Sequence, residues 1–359
     1  NSGVTGVRVA LDIGPIGGLV EPLGTLSFEA AYELFREMLV AGEEAGADIV
    51  IFETLTDLYE VKAAVLAAKE HTDLPIWVTM TFEQNGRTFL GAAVPSVAVT
   101  LDALGVTALG VNCSLGPVEL LPIVDEMMEW TDLPIIVKPN AGLPDPRTGA
   151  YEMTAEMFGA EMLHFAQSGA LILGGCCGTT PEHIRLEIEA TRKLPFEAPV
   201  KKHRAVVSSF SQTVELGKRP VIIGERINPT GKKRFKEALR TGDIEYILEQ
   251  GIEQEEAGAD MLDVNVGLPE INEPEMLETV MTRLQGVTAL PLQLDTTNLE
   301  ALERGLRLYH GKAMINSVNG KEESLETVLP LVAKYGGVVV GLALDENGIP
   351  EDAEGRIRV

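Results

Sequence analysis

One pattern recurs along the chain: a short β-branched apolar run, a polar or glycine-bearing loop, then an amphipathic segment with helical spacing. In the first half the runs fall at 7–13, 47–54, 76–82, 108–113, 135–139 and 170–174. The helical segments fall at 27–45, 57–71, 94–104, 118–130, 155–168 and 181–193. Ser27 and Asp57 stand where a helix needs an N-cap, and Pro181 suits a first helical position. Gly46 and Gly169 stand where a helix end turns left-handed. Strands that alternate with helices pair in parallel. Six such units predict an α/β fold whose sheet is either open and doubly wound or closed as a (β/α)8 barrel. No strand leads into G-x-G-x-x-G, which argues against a dinucleotide-binding form. A barrel needs eight units where six are visible, so either the count is short or two units precede Asn1.

Residues 195–218 break the pattern. They are proline-punctuated and carry the basic run 201–204 in an acidic chain, which predicts an interdomain linker. A second βα series follows, with strands at 220–224, 261–266, 290–294, 313–317 and 337–344 and helices at 234–239, 244–256, 273–284, 299–306 and 324–335. No closing element is visible after the fifth strand. The predicted domains are therefore 1–194 and 219–359, joined by 195–218.

Charge and cysteine usage narrow the function classes. The net charge of −25 argues against nucleic acid and anionic membrane as partners. No apolar run is long enough for a membrane span, and no signal peptide is visible. Three cysteines cannot pair off completely, which fits a reducing, cytoplasmic setting.

Those cysteines carry the clearest chemistry. Cys176 and Cys177 lie in Gly174-Gly175-Cys176-Cys177-Gly178-Thr179-Thr180, and Cys113 in Val111-Asn112-Cys113-Ser114-Leu115-Gly116-Pro117. Each element follows an apolar run and precedes a helical segment. Strand ends of a barrel face one mouth, so the sulfurs of Cys113, Cys176 and Cys177 are expected to converge on a metal ion. Three thiolates leave one tetrahedral position open, which suits a thiol substrate whose pKa the metal lowers. Three buried, small apolar residues are the competing reading. That reading fits Cys113 alone better than it fits an adjacent pair among glycines. His183, at the start of the next helix, is set aside as a fourth ligand.

In the same mouth Glu53 is placed to pair with an α-ammonium group, or else to cap the next segment locally. Asn112 and Asn140 are placed to orient a carboxylate or a ligand sulfur. The second half sets Glu225, Asn228, Asp263, Asn265, Asp295 and Asn316 at strand ends. Alternating donors and acceptors of this kind suit a flat heterocycle with an amide-like edge, such as a pterin or purine. The same residues also serve as ordinary turn formers.

The first half resembles the homocysteine-binding domain of zinc-dependent homocysteine methyltransferases. The resemblance rests on Asp12-Ile13-Gly14-Pro15, Ile51-Phe52-Glu53-Thr54, Gly110-Val111-Asn112-Cys113-Ser114, Lys138-Pro139-Asn140-Ala141-Gly142 and the Gly174–Ile184 stretch. The second half resembles the pterin-binding barrel of the cobalamin-dependent methionine synthase family. Here the matching stretches are Gly224-Glu225-Arg226-Ile227-Asn228-Pro229-Thr230-Gly231, Leu262-Asp263-Val264-Asn265-Val266-Gly267, Leu294-Asp295-Thr296 and Ile315-Asn316-Ser317. The resemblance implies two TIM-type (β/α)8 barrels in tandem, both incomplete in this chain. It implies Zn2+ on Cys113, Cys176 and Cys177, homocysteine on Glu53, and 5-methyltetrahydrofolate on Glu225, Asn228, Asp263, Asn265, Asp295 and Asn316. Asn228, Asp263 and Asp295 are the residues expected to serve the chemistry there. It further implies cobalamin, carried by a module of the full-length protein outside this chain. The family places its zinc cysteines after strands six and eight, so two strands before Asn1 restore the register. Its acidic homocysteine-binding residue near the first strand has no counterpart here. The competing functions are a cobalamin-independent zinc thiol methyltransferase and a non-catalytic metal- and pterin-binding fragment.

Overall fold

The apolar runs become parallel strands because each is flanked by a helix that returns the chain to the same end of the sheet. A computed structural model of the protein describes residues 6–359, which divide into two units, one ending at His203 and the other Arg204–Val359. The first unit runs β1 (Ala10–Ile13), α1 (Phe28–Glu44), β2 (Ile49–Leu55), α2 (Leu58–His71), β3 (Ile76–Met80) and α3 (Val94–Leu104). It continues through β4 (Ala108–Asn112), α4 (Pro117–Trp130), β5 (Ile135–Lys138), α5 (Ala155–Ser168), β6 (Ile172–Leu173) and α6 (Pro181–Thr191). The Ser27 and Asp57 side chains cap α1 and α2 as the sequence predicts. Gly169 ends α5 at a φ of 115°, a conformation that costs any residue with a Cβ.

Spatial order equals sequence order, β1 to β6, with every neighbouring pair parallel. A doubly wound sheet reverses its order at a switch point, and this one does not. Curvature follows from one contact. Lys138 ends β5 and Glu53 lies on β2, three strand steps apart, or about 14 Å across a flat sheet. Their side chains nevertheless form an ion pair. The sheet must curl to bring them together, so it is a half-barrel with this pair on its concave face. On the other face, Phe52 of β2 packs edge-on against Phe35 of α1 with ring centroids 5.7 Å apart. Alternation along the strand then sends Glu53 inward.

The second unit opens with an antiparallel hairpin, β7 (Val206–Ser208) and β8 (Thr213–Glu215). Then come β9 (Ile223–Ile227), α7 (Lys233–Thr241), α8 (Ile244–Glu256), β10 (Met261–Val264), α9 (Glu273–Leu284) and β11 (Leu292–Asp295). It closes with α10 (Leu299–Leu308), β12 (Ala313–Asn319), α11 (Glu322–Tyr335), β13 (Gly337–Leu342) and α12 (Ala353–Arg358). Its five-stranded parallel sheet again follows sequence order, β9 to β13.

Three sequence expectations change. The segment 195–218 is more than a linker. Its hairpin buries Val207 and Val214 against Met261, with Met314 and Val338 beside them. These are the first residue of β10 and the second residues of β12 and β13, so the hairpin floors the sheet at the end opposite the strand C-termini. Tyr309 fixes it there, donating from its hydroxyl to the Ser208 carbonyl at 2.8 Å. The basic run 201–204 is also engaged. Lys202 donates to the carbonyls of Met128 and Thr131 at the C-terminal end of α4, where a helix attracts a cation. Finally, β9 lies three residues later than the 220–224 run, and α12 follows β13 where no closing element was expected. Among the described residues no helix is long and apolar enough to cross a membrane.

Candidate functional site

The three cysteines come together at the C-terminal ends of β4 and β6. Their sulfurs all lie within 4.8 Å of one another, the one such cluster of potential metal ligands among the described residues. Cys113 Sγ and Cys177 Sγ are 3.8 Å apart. Metal–sulfur bonds of about 2.3 Å at tetrahedral angles set sulfurs about 3.8 Å apart. A disulfide needs about 2.05 Å, and all three cysteines are free. The donor set and spacing therefore fit a thiophilic divalent ion.

Backbone hydrogen bonds build this cluster. Cys113 N donates to the Lys138 carbonyl at 3.1 Å and Cys176 N to the Pro139 carbonyl at 2.8 Å, so β5 ties both cysteine loops. Ala141 N donates to the Cys177 carbonyl at 2.9 Å. Cys113 and Ser114 sit at φ of 60° and 50°, uncommon for residues with side chains. Ser114 Oγ holds that turn by donating to the Phe82 carbonyl at 2.6 Å. Burial, then the nearby Cys113 sulfur, pushes the Cys176 thiol up to about 12. Packed sulfurs resist ionising together unless a cation compensates them. His183 faces elsewhere: Nδ1 joins the Thr180 cap at the start of α6, and Nε2 lies 3.1 Å from the Met153 carbonyl.

The neighbouring polar residues divide into two kinds. Asn140 is buried, and its Oδ1 accepts from Cys177 N at 3.1 Å, so it braces the cysteine loop. Asn112 does not line the mouth as expected. Its Oδ1 accepts from Thr54 N at 2.9 Å and its Nδ2 donates to Thr54 Oγ1 at 2.8 Å. Thr54 has a φ of 64°, and the fully buried Asn112 amide fixes that strained turn. Glu53 does face the mouth, paired with Lys138. Asp12, at the end of β1, joins them: burial first, then Glu53, raises its carboxyl above the usual range, while Lys138 lowers it.

In the second unit the predicted residues form a side-chain network. Asp263 and Gln293 are register partners on β10 and β11, and Gln293 Nε2 donates to Asp263 Oδ1. Asn228 also hydrogen-bonds Asp263. Burial nevertheless raises the Asp263 carboxyl to about 6, with Gln293 pulling it down and Asp295 pushing it up. Asn265 Nδ2 donates to Asp295 Oδ2 at 3.0 Å, and its Oδ1 accepts from Gly267 N at 2.9 Å. Asn316 lies beside Asp295 in register on β12. Glu225 stands apart, more than half exposed and paired with Lys232 at 3.2 Å.

Four residues are given no role by the sequence analysis. Asp12 and Lys138 lie inside stretches quoted for other reasons. Gln293 precedes Asp295 by two positions on one strand, which puts both on the same face, and that spacing is a legible signal. The Gln293 side chain is buried, and its Oε1 has no partner. Tyr151 carries no signal at all. Its ring lies on Gly178, where a Cβ would fall 2.4 Å from a ring carbon, and its hydroxyl hydrogen-bonds Cys177. Glycine is required at 178 for that approach and for its φ of 80°.

Comparison with known proteins bears on both units. Residues 2–190 match the family described as Homocysteine S-methyltransferase, and residues 224–357 match the Pterin binding enzyme family. The methionine synthase of Mycobacterium leprae is 31% identical over 97% of this chain. That of Mycobacterium tuberculosis is 30% identical over 97%. The chain spans 30% of the length of each of these relatives. Among solved structures, the apo form of the homocysteine methyltransferase MmuM from Escherichia coli aligns with a TM-score of 0.41 and 25% identity, covering 51% of this chain and 63% of that one. The match over 2–190 takes in more than half of the residues and both cysteine loops, and so the chain belongs to the homocysteine S-methyltransferase family.

Proposed function

We propose that this chain carries the thiol-activating and pterin-binding parts of a methionine synthase. The reaction moves a methyl group from 5-methyltetrahydrofolate through cobalamin to homocysteine, giving methionine and tetrahydrofolate. The observation that carries the proposal is the sulfur trio, spaced for a tetrahedral ion and with His183 turned away. Cys113, Cys176 and Cys177 would hold Zn2+, which when bound supplies Lewis acidity that keeps a thiol ionised at neutral pH. Asn140 and the β5 backbone aim the sulfurs, Tyr151 packs on Gly178 and hydrogen-bonds Cys177, and Glu53 receives the substrate's α-ammonium group. In the second unit Asp263, Asp295, Asn265 and Asn316 bind the pterin's polar edge. Asn228 and the two aspartates orient the ring and support the proton that N5 needs before it can leave. Cobalamin is assigned to a module outside this chain. On this view each parallel sheet is part of a (β/α)8 barrel, and the setting is cytoplasmic.

The test combines metal analysis with turnover by the purified chain supplied with corrinoid. The expected result is about one zinc per chain, as three thiolates at one centre require. Homocysteine should change the metal's X-ray absorption edge, and methyl transfer should depend on added corrinoid. An edge indifferent to homocysteine would overturn thiol activation. Turnover without corrinoid would make this a cobalamin-independent thiol methyltransferase, and binding of metal and pterin without turnover a non-catalytic fragment.

A further inference from the structure

The ion pair across the first mouth is an unusual use of a lysine. Lys138 extends from the end of β5 over the concave face to reach Glu53 on β2, and Asp12 on β1 is hydrogen-bonded to the same Glu53 carboxylate. Two carboxyl groups therefore crowd one ammonium group. Glu53 and Lys138 are half-buried and Asp12 is exposed, so the cluster is open to the mouth. The Lys138 carbonyl accepts the Cys113 amide, and its side chain passes beside Gly174, 3.5 Å from where a Cβ would lie. The same lysine thus ties the Cys113 loop through its backbone and reaches Glu53 through its side chain. An ammonium on Glu53 is also what a substrate amino group would provide.

We propose that Lys138 is a specificity-determining residue that occupies the place of the substrate's α-ammonium group on Glu53. When the amino acid enters, its ammonium replaces the lysine on Glu53 and Asp12, and Lys138 turns to the α-carboxylate. Charge balances in both states. In the empty mouth one ammonium faces the carboxyl groups of Glu53 and Asp12. The entering zwitterion adds one ammonium and one carboxylate, so the filled mouth has the same net charge. The long flexible lysine stem permits the exchange without movement of the strands. The trio selects thiols bearing both an ammonium and a carboxylate group, and it turns away thiols bearing only one. This inference rests on the homocysteine reading proposed above and adds to it the residue that reads the α-carboxylate.

Three thiols separate the groups: homocysteine, 3-aminopropanethiol without the carboxylate, and 4-mercaptobutanoate without the ammonium. Each is titrated into the cobalt(II)-substituted full chain, and binding is read from the thiolate-to-cobalt charge-transfer band. In Lys138→Met, homocysteine should bind about tenfold more weakly, the loss expected for one charge-assisted contact. 4-Mercaptobutanoate should weaken as much. 3-Aminopropanethiol should bind as well as before or more tightly, because its competitor for Glu53 is gone. Lys138→Gln, which keeps a polar tip, should give the same ranking and serves if the methionine variant does not fold. Equal weakening of homocysteine and 3-aminopropanethiol would overturn the proposal, since Lys138 would then only hold Glu53 in place. So would three unchanged affinities. If no thiol perturbs the cobalt in the unsubstituted chain, the thiol-activation reading itself fails, and the role given to Lys138 fails with it.

Discussion

The two mouths are built from the same architecture and stabilised in opposite ways. In the first, the reactive groups are sulfurs fixed by backbone hydrogen bonds from β5, with left-handed residues at Thr54, Cys113 and Ser114 aiming the loops. Side-chain amides there serve the backbone: Asn112 holds Thr54 and Asn140 holds Cys177. In the second, the polar side chains bond chiefly to one another, as Gln293 to Asp263 and Asn265 to Asp295. A metal centre needs its ligands placed to within a few tenths of an ångström, and backbone ties provide that rigidity. A hydrogen-bonding face for a heterocycle needs donors and acceptors that reorient, and side-chain networks provide that. On the proposed reading the first mouth is completed by an ion, whereas the second is nearly self-sufficient.

Metal removal should separate them most sharply. An ion present at a thousandfold excess over its Kd adds about 4 kcal/mol of stability to whatever binds it. Chelation should therefore deprotect β4, β5 and β6 in hydrogen-exchange mass spectrometry and leave β10 and β11 unchanged. Cys177→Ala should bring metal content close to zero and make the chain indifferent to chelator. Equal deprotection of both sheets would refute the contrast.

Asn112→Ala tests the backbone-serving role. The side chain is fully buried, and its removal strips two hydrogen bonds from Thr54. An orphaned buried amide and a cavity together cost about 3 kcal/mol. Exchange should accelerate at β2, with metal content lowered only indirectly. If Asn112 contacts substrate instead, stability should hold and homocysteine affinity should fall.

The sequence carried much of this contrast, for physical reasons that differ by element. The helix caps at Ser27 and Asp57, the βα alternation and the cysteine loops were legible because each is a local rule. The hairpin at Val206–Ser208 and Thr213–Glu215 was hidden because its strands are three residues long and depend on Met261, Met314 and Val338 far along the chain. The role of Asn112 was misjudged because a strand-end amide looks the same whether it faces a ligand or a strained turn. Lys138 could not be assigned at all, since its partner lies on a strand that only sheet curvature brings near. Local chemistry is written in the sequence, but contacts across a concave face are not.

Asp263 offers a pH test of the second mouth. Its carboxyl titrates at about 6 in the folded chain, against 3.8 for an ordinary aspartate. Between these values the folded state binds more protons than the unfolded one, so Asp263 stabilises the fold at low pH and loses that contribution as pH rises toward 6. Asp263→Asn removes the titration while keeping an acceptor for Gln293. The variant should gain on the parent by about 2 kcal/mol between pH 4 and pH 7, measured by urea unfolding at each pH. A gap that does not change with pH would mean that Asp263 stays ionised throughout, as a fully satisfied network would keep it.

Gln293 shows where that network remains incomplete. Its Nε2 is bonded to Asp263, but its buried Oε1 has no partner. A native fold seldom leaves such an acceptor unpaired without a use for it. If the use is a ligand N–H group, Gln293→Met should change unfolding free energy by only about 1 kcal/mol, because an apolar side chain of similar size removes the orphan along with the bond. Pterin affinity, by calorimetry, should fall about tenfold, the worth of one buried hydrogen bond. Loss of stability with affinity intact would instead make Gln293 a brace for Asp263, and the second mouth would then resemble the first, with its amides serving the fold more than the ligand.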